Sequence, residues 1–318
     1  MRAAWMIHQG EEINWSSALR LRRLDIAGYL GRAGYLDEAT VIRGYQDGSQ
    51  GSPSEMAERL RGYDAVVFAE QSGYDHEVMC KLREGTARPA VLRDHCEDIW
   101  GFPWEMECFR QADLVVCSSA RLATIASGTH GLQSLVIHEH YEEVAFTNTL
   151  PYHRRPLVAG YMGTDGGLAA QLRAVAASAG WEVRILCRPE NGIEGSIPWD
   201  EHSWKGYFND FRLLLCPQQP QFTAKSPCKV IQGLGNGMPV LASATVESYR
   251  DFVRSGHNGL LLDFDPVQWR KAFTLASSDG VVRHWADNAE NSDVRRSHSL
   301  KTVALQWLSL FCRLSTKV

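Results

Sequence analysis

The sequence lacks several features that would settle its class at once. Its eight cysteines (Cys80, Cys96, Cys108, Cys117, Cys187, Cys216, Cys228 and Cys312) include no Cys-x-x-Cys pair. Neither a zinc site nor a disulfide framework is supported, so a reduced, cytoplasmic setting is expected. Cys117 and Cys216 end apolar runs and read as small core residues. No apolar run approaches the roughly 18 residues of a membrane-spanning helix. The opening Met1–His8 turns polar too early for a signal peptide, which makes the sequon at Asn14, Trp15 and Ser16 a chance match. No charge of one sign dominates. The 33 Lys and Arg against 37 Asp and Glu give a formal net charge of -4, which argues against nucleic acid as a principal partner. There is no internal repeat and no low-complexity tract.

What is present is an ordinary globular balance, 44 % apolar and 22 % charged residues. A chain of 318 residues suggests two domains, at roughly 150 residues each. Short apolar runs recur at Ala3–Ile7, Ala65–Ala69, Ala90–Arg93, Leu114–Cys117, Ser134–Ile137, Leu157–Tyr161, Glu182–Leu186, Arg212–Cys216, Pro239–Ala242 and Gly259–Leu262. Each is too short for a helix and too apolar for a surface loop, as strands buried on both faces are. Helical patterns between them predict βαβ units and parallel sheets. The proline- and arginine-bearing stretch Pro151–Pro156 separates two groups of such strands and reads as the linker. The expected fold is therefore α/β, with two doubly wound, Rossmann-like domains facing a cleft, an N-terminal one at 1–150 and a C-terminal one at 151–295. Such sheets bind ligands beyond the carboxyl ends of their strands. Residues 296–318 close the chain with a helix whose apolar stripe runs through Leu300, Val303, Ala304, Trp307, Leu308, Phe311 and Leu314, predicting that it docks on a core, that of the N-terminal domain.

One segment carries more chemistry than the rest. Ser226 suits a helix N-cap and Pro227 the first helical position, while Gly237 and Pro239 end the helix near Asn236. The N-terminus of this helix suits an anion. Lys225 precedes it and Lys229 lies on its first turn, an arrangement fit for a diphosphate. Gln232 shares the Lys229 face and could hydrogen-bond a sugar or ribose hydroxyl. Gly233 and Gly235 each cost a helix roughly 1 kcal/mol relative to alanine, so either the sheet or a ligand should approach that backbone closely. The plain alternative is a capped surface helix with two solvated lysines. Elsewhere, Gly160–Gly167 follows a strand and precedes a helix predicted over Leu168–Ala179 and closed by Gly180. Its Gly-x-x-Gly spacing does not fit a dinucleotide fingerprint, and no ribose acid follows at the expected distance. At the end of an N-terminal strand, Asp94, His95 and Glu97 crowd together with Arg93, Cys96 and Asp98, without a zinc spacing. The loop after the first strand holds Gly10 and Glu11. Arg20, Arg22 and Arg23 follow on a helical pattern and read as a solvated face, with an anionic acceptor or lipid headgroup as the other reading.

The run Lys225-Ser226-Pro227-Cys228-Lys229-Val230-Ile231-Gln232, with Gly237-Met238-Pro239-Val240-Leu241-Ala242-Ser243 after it, resembles the donor-binding signature of family 4 glycosyltransferases. Their pattern often reads Lys-Ser-Pro-x-Lys-x-x-Glu, then Gly-x-Pro-Val-x-Ala-Ser, and the continuation to Gly259-Leu260-Leu261-Leu262 is also similar. The specific likeness covers residues 157–290; over residues 1–150 it is looser, with Ala112–Ser119 similar to the family's last acceptor-domain strand. The resemblance implies the GT-B fold and transfer of a sugar from a nucleotide-diphosphate sugar to an acceptor hydroxyl, with retention and without metal or any further cofactor. It implies donor contacts from Gly163, Thr164, Arg188, Lys205, Lys225, Ser226, Pro227, Cys228, Lys229 and Gln232. His95, Asp94 and Lys225 take the catalytic roles, His95 touching the transferred sugar, and Gly10, Glu11 and Glu97 fall on the acceptor side. The acceptor domain is compact, which favours a small-molecule or carrier-linked saccharide acceptor over a lipid. The sequence departs from the pattern where Gln232 stands in place of the ribose-binding Glu and where Ala224 lies in the region of a second one. An epimerase or hydrolase of the same fold, or a non-catalytic sugar-nucleotide-binding partner subunit, therefore stays open, with a Rossmann dehydrogenase more distant.

Overall fold

The computed structural model describes residues 1–7, 20–43, 51–68, 73–84, 88–96, 103–163, 167–187, 189, 192–200 and 203–315. The chain forms two compact units, Met1–Glu139 with Leu300–Val318, and His140–Ser299.

The first unit is built on six parallel strands: β1 (Arg2–Ile7), β2 (Glu38–Arg43), β3 (Ala65–Phe68), β4 (Ala90–His95), β5 (Leu114–Cys117) and β6 (Ser134–Val136). Their order is β2-β1-β3-β4-β5-β6. Alternate residues feed opposite cores, because successive side chains of a strand point to opposite faces. Ala3, Trp5, Val67 and Leu92 pack with the helix Asp25–Arg32 and the last helix, Leu300–Ser315. Ala4, Met6, Val66 and Val91 pack with the helices Pro53–Leu60 and Gly73–Arg83. The last helix belongs to this first core through Val303, Ala304, Trp307 and Phe311 of the expected stripe and through Leu310 beside it, with Leu300, Leu308 and Leu314 packed partly buried against the same core.

The second unit has β7 (Val158–Met162), β8 (Glu182–Cys187), β9 (Ile197–Pro198), β10 (Leu213–Cys216), β11 (Val240–Ser243) and β12 (Gly259–Leu262). They lie in the order β12-β11-β10-β7-β8-β9, again all parallel. Counted from β7 this is the dinucleotide-fold order, reversing direction between the first strand and the fourth. Both faces are covered. Leu214, Cys216, Val240 and Ala242 meet the helix Cys228–Gly235 on one side. On the other, Leu213, Leu215 and Leu241 meet the helices Gly167–Ala177, Pro266–Ala276 and Asp279–Glu290.

All ten expected strands are present, within a residue or two at their ends. Two more complete the sheets. β2 reads Glu-Ala-Thr-Val-Ile-Arg and sits at an edge, so it never needed a continuous apolar run. β9 is only two residues long, too short for any pattern. The expected linker Pro151–Pro156 is corrected: it is an internal part of the second unit. Tyr152–Arg154 forms a short 3-10 turn, and the buried Arg155 guanidinium donates to the carbonyls of Phe208 and Phe211 at 2.8 and 2.9 Å. It also stacks on the Tyr152 ring at 4.0 Å. The division of the chain falls instead between Glu139 and His140, and again before Leu300. The solvated face expected for Arg22 and Arg23 is corrected too, since both side chains are buried.

Trp307 is fully buried, with its ring 5.9 Å from that of Phe311 and the Arg22 guanidinium above it. Trp307→Ala should cost the first unit about 3–5 kcal/mol, read as a lower urea midpoint by far-ultraviolet circular dichroism. An unchanged midpoint would remove this helix from the core.

Candidate functional site

The strand-order reversal in the second unit builds a crevice. β7 and β10 pair only at Ala159–Leu213 and Gly160–Leu214, although β7 runs on to Met162 and β10 to Cys216. Beyond Gly160 the two strands part at their carboxyl ends, where open α/β sheets take ligands. Lys229 enters this edge from the first turn of Cys228–Gly235. Its Nζ donates to the Tyr161 hydroxyl at 3.0 Å and lies 4.5 Å from the centre of that ring. Burial, the largest single influence, would lower the pKa of this lysine; Tyr161 together with the nearby Cys216 and Cys228 outweighs it, and the group titrates above its ordinary value. Lys229 is thus a partly buried cation, and among the described residues no carboxylate forms an ion pair with it. Gly163 makes room for it: a Cβ there would stand 2.5 Å from Nζ and 2.7 Å from the Tyr161 hydroxyl.

The helix begins with Pro227 as the residue before its first turn, and the Ser226 hydroxyl accepts from the Cys228 N–H at 3.1 Å. The helix thus starts one residue later than the sequence suggests, with Pro227 rather than Ser226 at the N-cap position and the Ser226 hydroxyl engaging the first helical N–H. The first turn holds no acidic residue, so the positive end of the dipole and Lys229 act together. Lys225 lies just before it, its ammonium 5.2 Å from the Phe222 ring and its carbonyl fixed by the Ser248 hydroxyl at 2.7 Å.

Gln232, expected to contact a ribose, meets the backbone of Glu142. The side chain is 4 % exposed, and both ends of its amide are engaged by one backbone unit. Its Nε2 donates to the Glu142 carbonyl, and its Oε1 accepts from the Glu142 N–H, both at 2.8 Å. Asn236, one turn on, donates to the same carbonyl at 3.0 Å and accepts from the Val144 N–H at 2.9 Å. The two amides pair with residues 142–144 much as a neighbouring strand would. The helix glycines serve the same packing. A Cβ on Gly235 would stand 2.3 Å from the Tyr141 ring, and one on Gly233 2.7 Å from Val240. Lys205, expected to face a departing diphosphate, instead reaches the Glu142 carboxylate at 3.6 Å. Thr164 and Arg188 lie outside the described residues, as do Gly10, Glu11 and Glu97.

In the first unit, Asp94, expected in a catalytic role, is buried in an ion-pair cluster. Arg22 Nε and a terminal nitrogen donate to its Oδ1 at 2.8 and 2.6 Å, and Arg23 Nε stands 3.3 Å from Oδ2. Arg22 also donates to the Ile137 carbonyl and stands 3.8 Å from Glu139. His95 is 2 % exposed, edge-on to Phe109 with ring centres 4.9 Å apart. Burial, with Arg93 and Arg22 nearby, holds its pKa well below the usual imidazole value. Among the described residues no cluster of three or more His, Cys, Asp and Glu could hold a metal. No helix among them is long and apolar enough to cross a membrane. Sequence reasoning missed Tyr161, Glu142 and Asn236. Tyr161 stood inside the glycine loop already singled out; the other two carry no local signal.

No family model and no curated protein matches the chain. Solved structures do. A sucrose-phosphate synthase from Thermosynechococcus elongatus aligns over 100 % of both chains with a TM-score of 0.70 at 17 % identity. HepE from Anabaena, in complex with UDP, aligns over 98 % of this chain and 100 % of its own, with a TM-score of 0.67 at 15 % identity. A glycosyltransferase from Rickettsia africae covers 98 % of each chain, with a TM-score of 0.68 at 10 % identity. The likeness is one of fold: two parallel α/β units of the GT-B type.

The state of His95 has a measurable consequence. It stays neutral when folded and protonates when unfolded, so its contribution is complete above about pH 6.5 and is lost as pH falls below that value. The slope is at most about 1.4 kcal/mol per pH unit. Urea midpoints measured at pH 7.5, 6.5 and 5.5 should fall less steeply for His95→Gln than for the unaltered protein. Parallel curves would show that His95 is already free to protonate in the folded state.

Proposed function

We propose that this protein is a glycosyltransferase that moves a sugar from a nucleotide-diphosphate sugar to an acceptor hydroxyl. The observation that carries the reading is the Lys229 cation at the β7–β10 crevice, held beside the N-terminus of Cys228–Gly235 and not neutralised by a described carboxylate. The fold is shared with HepE, whose structures include complexes with UDP and with UDP-glucose. In the reaction, the bond between the anomeric carbon and the β-phosphate oxygen breaks and its electron pair stays on the diphosphate. The acceptor oxygen bonds to the anomeric carbon, and its proton passes to the departing diphosphate oxygen. Lys229, Lys225 and the first-turn N–H groups meet the charge that develops on the leaving oxygen. The likeness of Lys225–Gln232 to the family 4 signature favours retention and turnover that persists in a chelator. A small-molecule or carrier-linked saccharide is the acceptor class this reading takes.

One observation favours a second reading. Ala224 is buried and Gln232 is spent on Glu142, so neither position offers a carboxylate to the donor. A sugar-nucleotide-binding subunit without turnover is that second reading. Product formation from a bound donor separates the two.

A thermal-shift series with nucleoside diphosphates and their sugars tests the donor site. A selective ligand at about 100 times its Kd should stabilise the protein by about 2.7 kcal/mol. Lys229→Met should lose most of that shift while the unliganded protein keeps its fold, and Lys225→Ala should lose part of it. A full shift in Lys229→Met would overturn the diphosphate assignment.

A further inference from the structure

We propose that Tyr161 is a positioning residue for Lys229, and that Gly163 leaves the space in which the ammonium is held. The inference rests on the reading of the crevice as a diphosphate site and adds the device that aims its cation. A lysine head is a point charge on a flexible four-carbon stem, so its direction must come from elsewhere. Tyr161 supplies that direction from a strand whose side chains are locked in the core, being itself 2 % exposed. Its hydroxyl takes one of the three N–H donors of Lys229, at 3.0 Å. The chemistry of the partner matters. A carboxylate in that place would neutralise the ammonium and repel an anion, whereas a phenol fixes the ammonium and leaves its charge to the ligand.

Gly163 completes the arrangement at the end of the same strand. A Cβ there would fall within 2.9 Å of both Nζ and Cε of Lys229, and 2.7 Å from the Tyr161 hydroxyl. The atoms it would meet on Lys229 are the far end of a flexible chain. Gly163→Ala therefore presses on both the Lys229 ammonium and the Tyr161 hydroxyl, of which the ammonium is the freer to move, and it leaves the backbone bond from the Gly163 N–H to the Leu186 carbonyl in place. Two substitutions of unrelated chemistry thus converge on one atom.

The test titrates UDP, inorganic pyrophosphate and uridine into the full chain by calorimetry. Tyr161→Phe keeps the ring and removes the hydroxyl. It should weaken UDP and pyrophosphate about tenfold and leave uridine unchanged, the loss expected for one hydrogen bond to a charged group. Gly163→Ala should do the same. In a Lys229→Met background neither substitution should have a further effect, because its action runs through the lysine. Unchanged binding in Tyr161→Phe, or an undiminished loss in the Lys229→Met background, would overturn the proposal. Acetic anhydride labelling gives a readout that needs no nucleotide. Lys229 should label several-fold faster in Tyr161→Phe and Gly163→Ala, with the other lysines unchanged. Equal labelling overturns the positioning role. Faster labelling in a protein that binds neither UDP nor pyrophosphate supports that role and removes the diphosphate reading alone.

Discussion

The structure of the second unit depends on one constraint, the reversal of strand order between β7 and β10. Parallel strands need crossovers, and a crossover that leaves to the left cannot share a path with one that leaves to the right. The strands on either side of the reversal therefore separate at their carboxyl ends, here just past Gly160 and Leu214. Gly160 itself is demanded by the closeness of the Phe211 ring, 2.1 Å from where a Cβ would be. Tyr161, Gly163 and the first turn of Cys228–Gly235 are then the residues that the chain brings to the gap. Their chemistry matters because of where the reversal puts them, and the same lysine and tyrosine on another helix and strand would make a surface contact.

Much of this was legible in the sequence because local physics wrote it there. Strands buried on both faces must be apolar throughout, so Leu213–Cys216 and Val240–Ser243 declare themselves, while the edge strand Glu38–Arg43 does not. Ser226 and Pro227 mark a helix start, and Gly237, at φ +72°, marks its end. What was hidden is what the side chains meet at long range. Gln232 has the right chemistry and the right spacing from Lys229 to meet a ligand, yet its partner is a backbone unit 90 residues away. The glycines at 233 and 235 signalled a close approach without saying by what. The answer is the sheet for one and Tyr141 for the other. Arg22 and Arg23 show the converse. Charge reads as exposure in a sequence, and only Asp94, in a strand distant along the chain, reveals that it can be buried.

That buried group sets the character of the first unit. Removing Arg22, Arg23, Asp94 and Glu139 from water carries a desolvation cost that their mutual attraction roughly offsets, so the cluster is a weak source of net stability. Its effect is instead to fix geometry. Arg22 joins a turn at Arg20–Leu24 to β4, to the carbonyl after β6 and to the face of Trp307. Four parts of the chain are aligned by one guanidinium whose forked, planar shape allows few other arrangements.

The return of Leu300–Ser315 to the first unit has a consequence for the order in which the protein is made. The second unit is continuous in the chain, whereas the first is closed by a helix synthesised after the second is complete. On the ribosome, Trp5 and Leu92 wait for Trp307 and Phe311 with one flank of their sheet uncovered. The second unit can fold while the earlier one is still open, against the usual N-terminal-first sequence. Until the last helix is made, that sheet face is covered by Asp25–Arg32 alone, and the part that Leu300–Ser315 takes stays open.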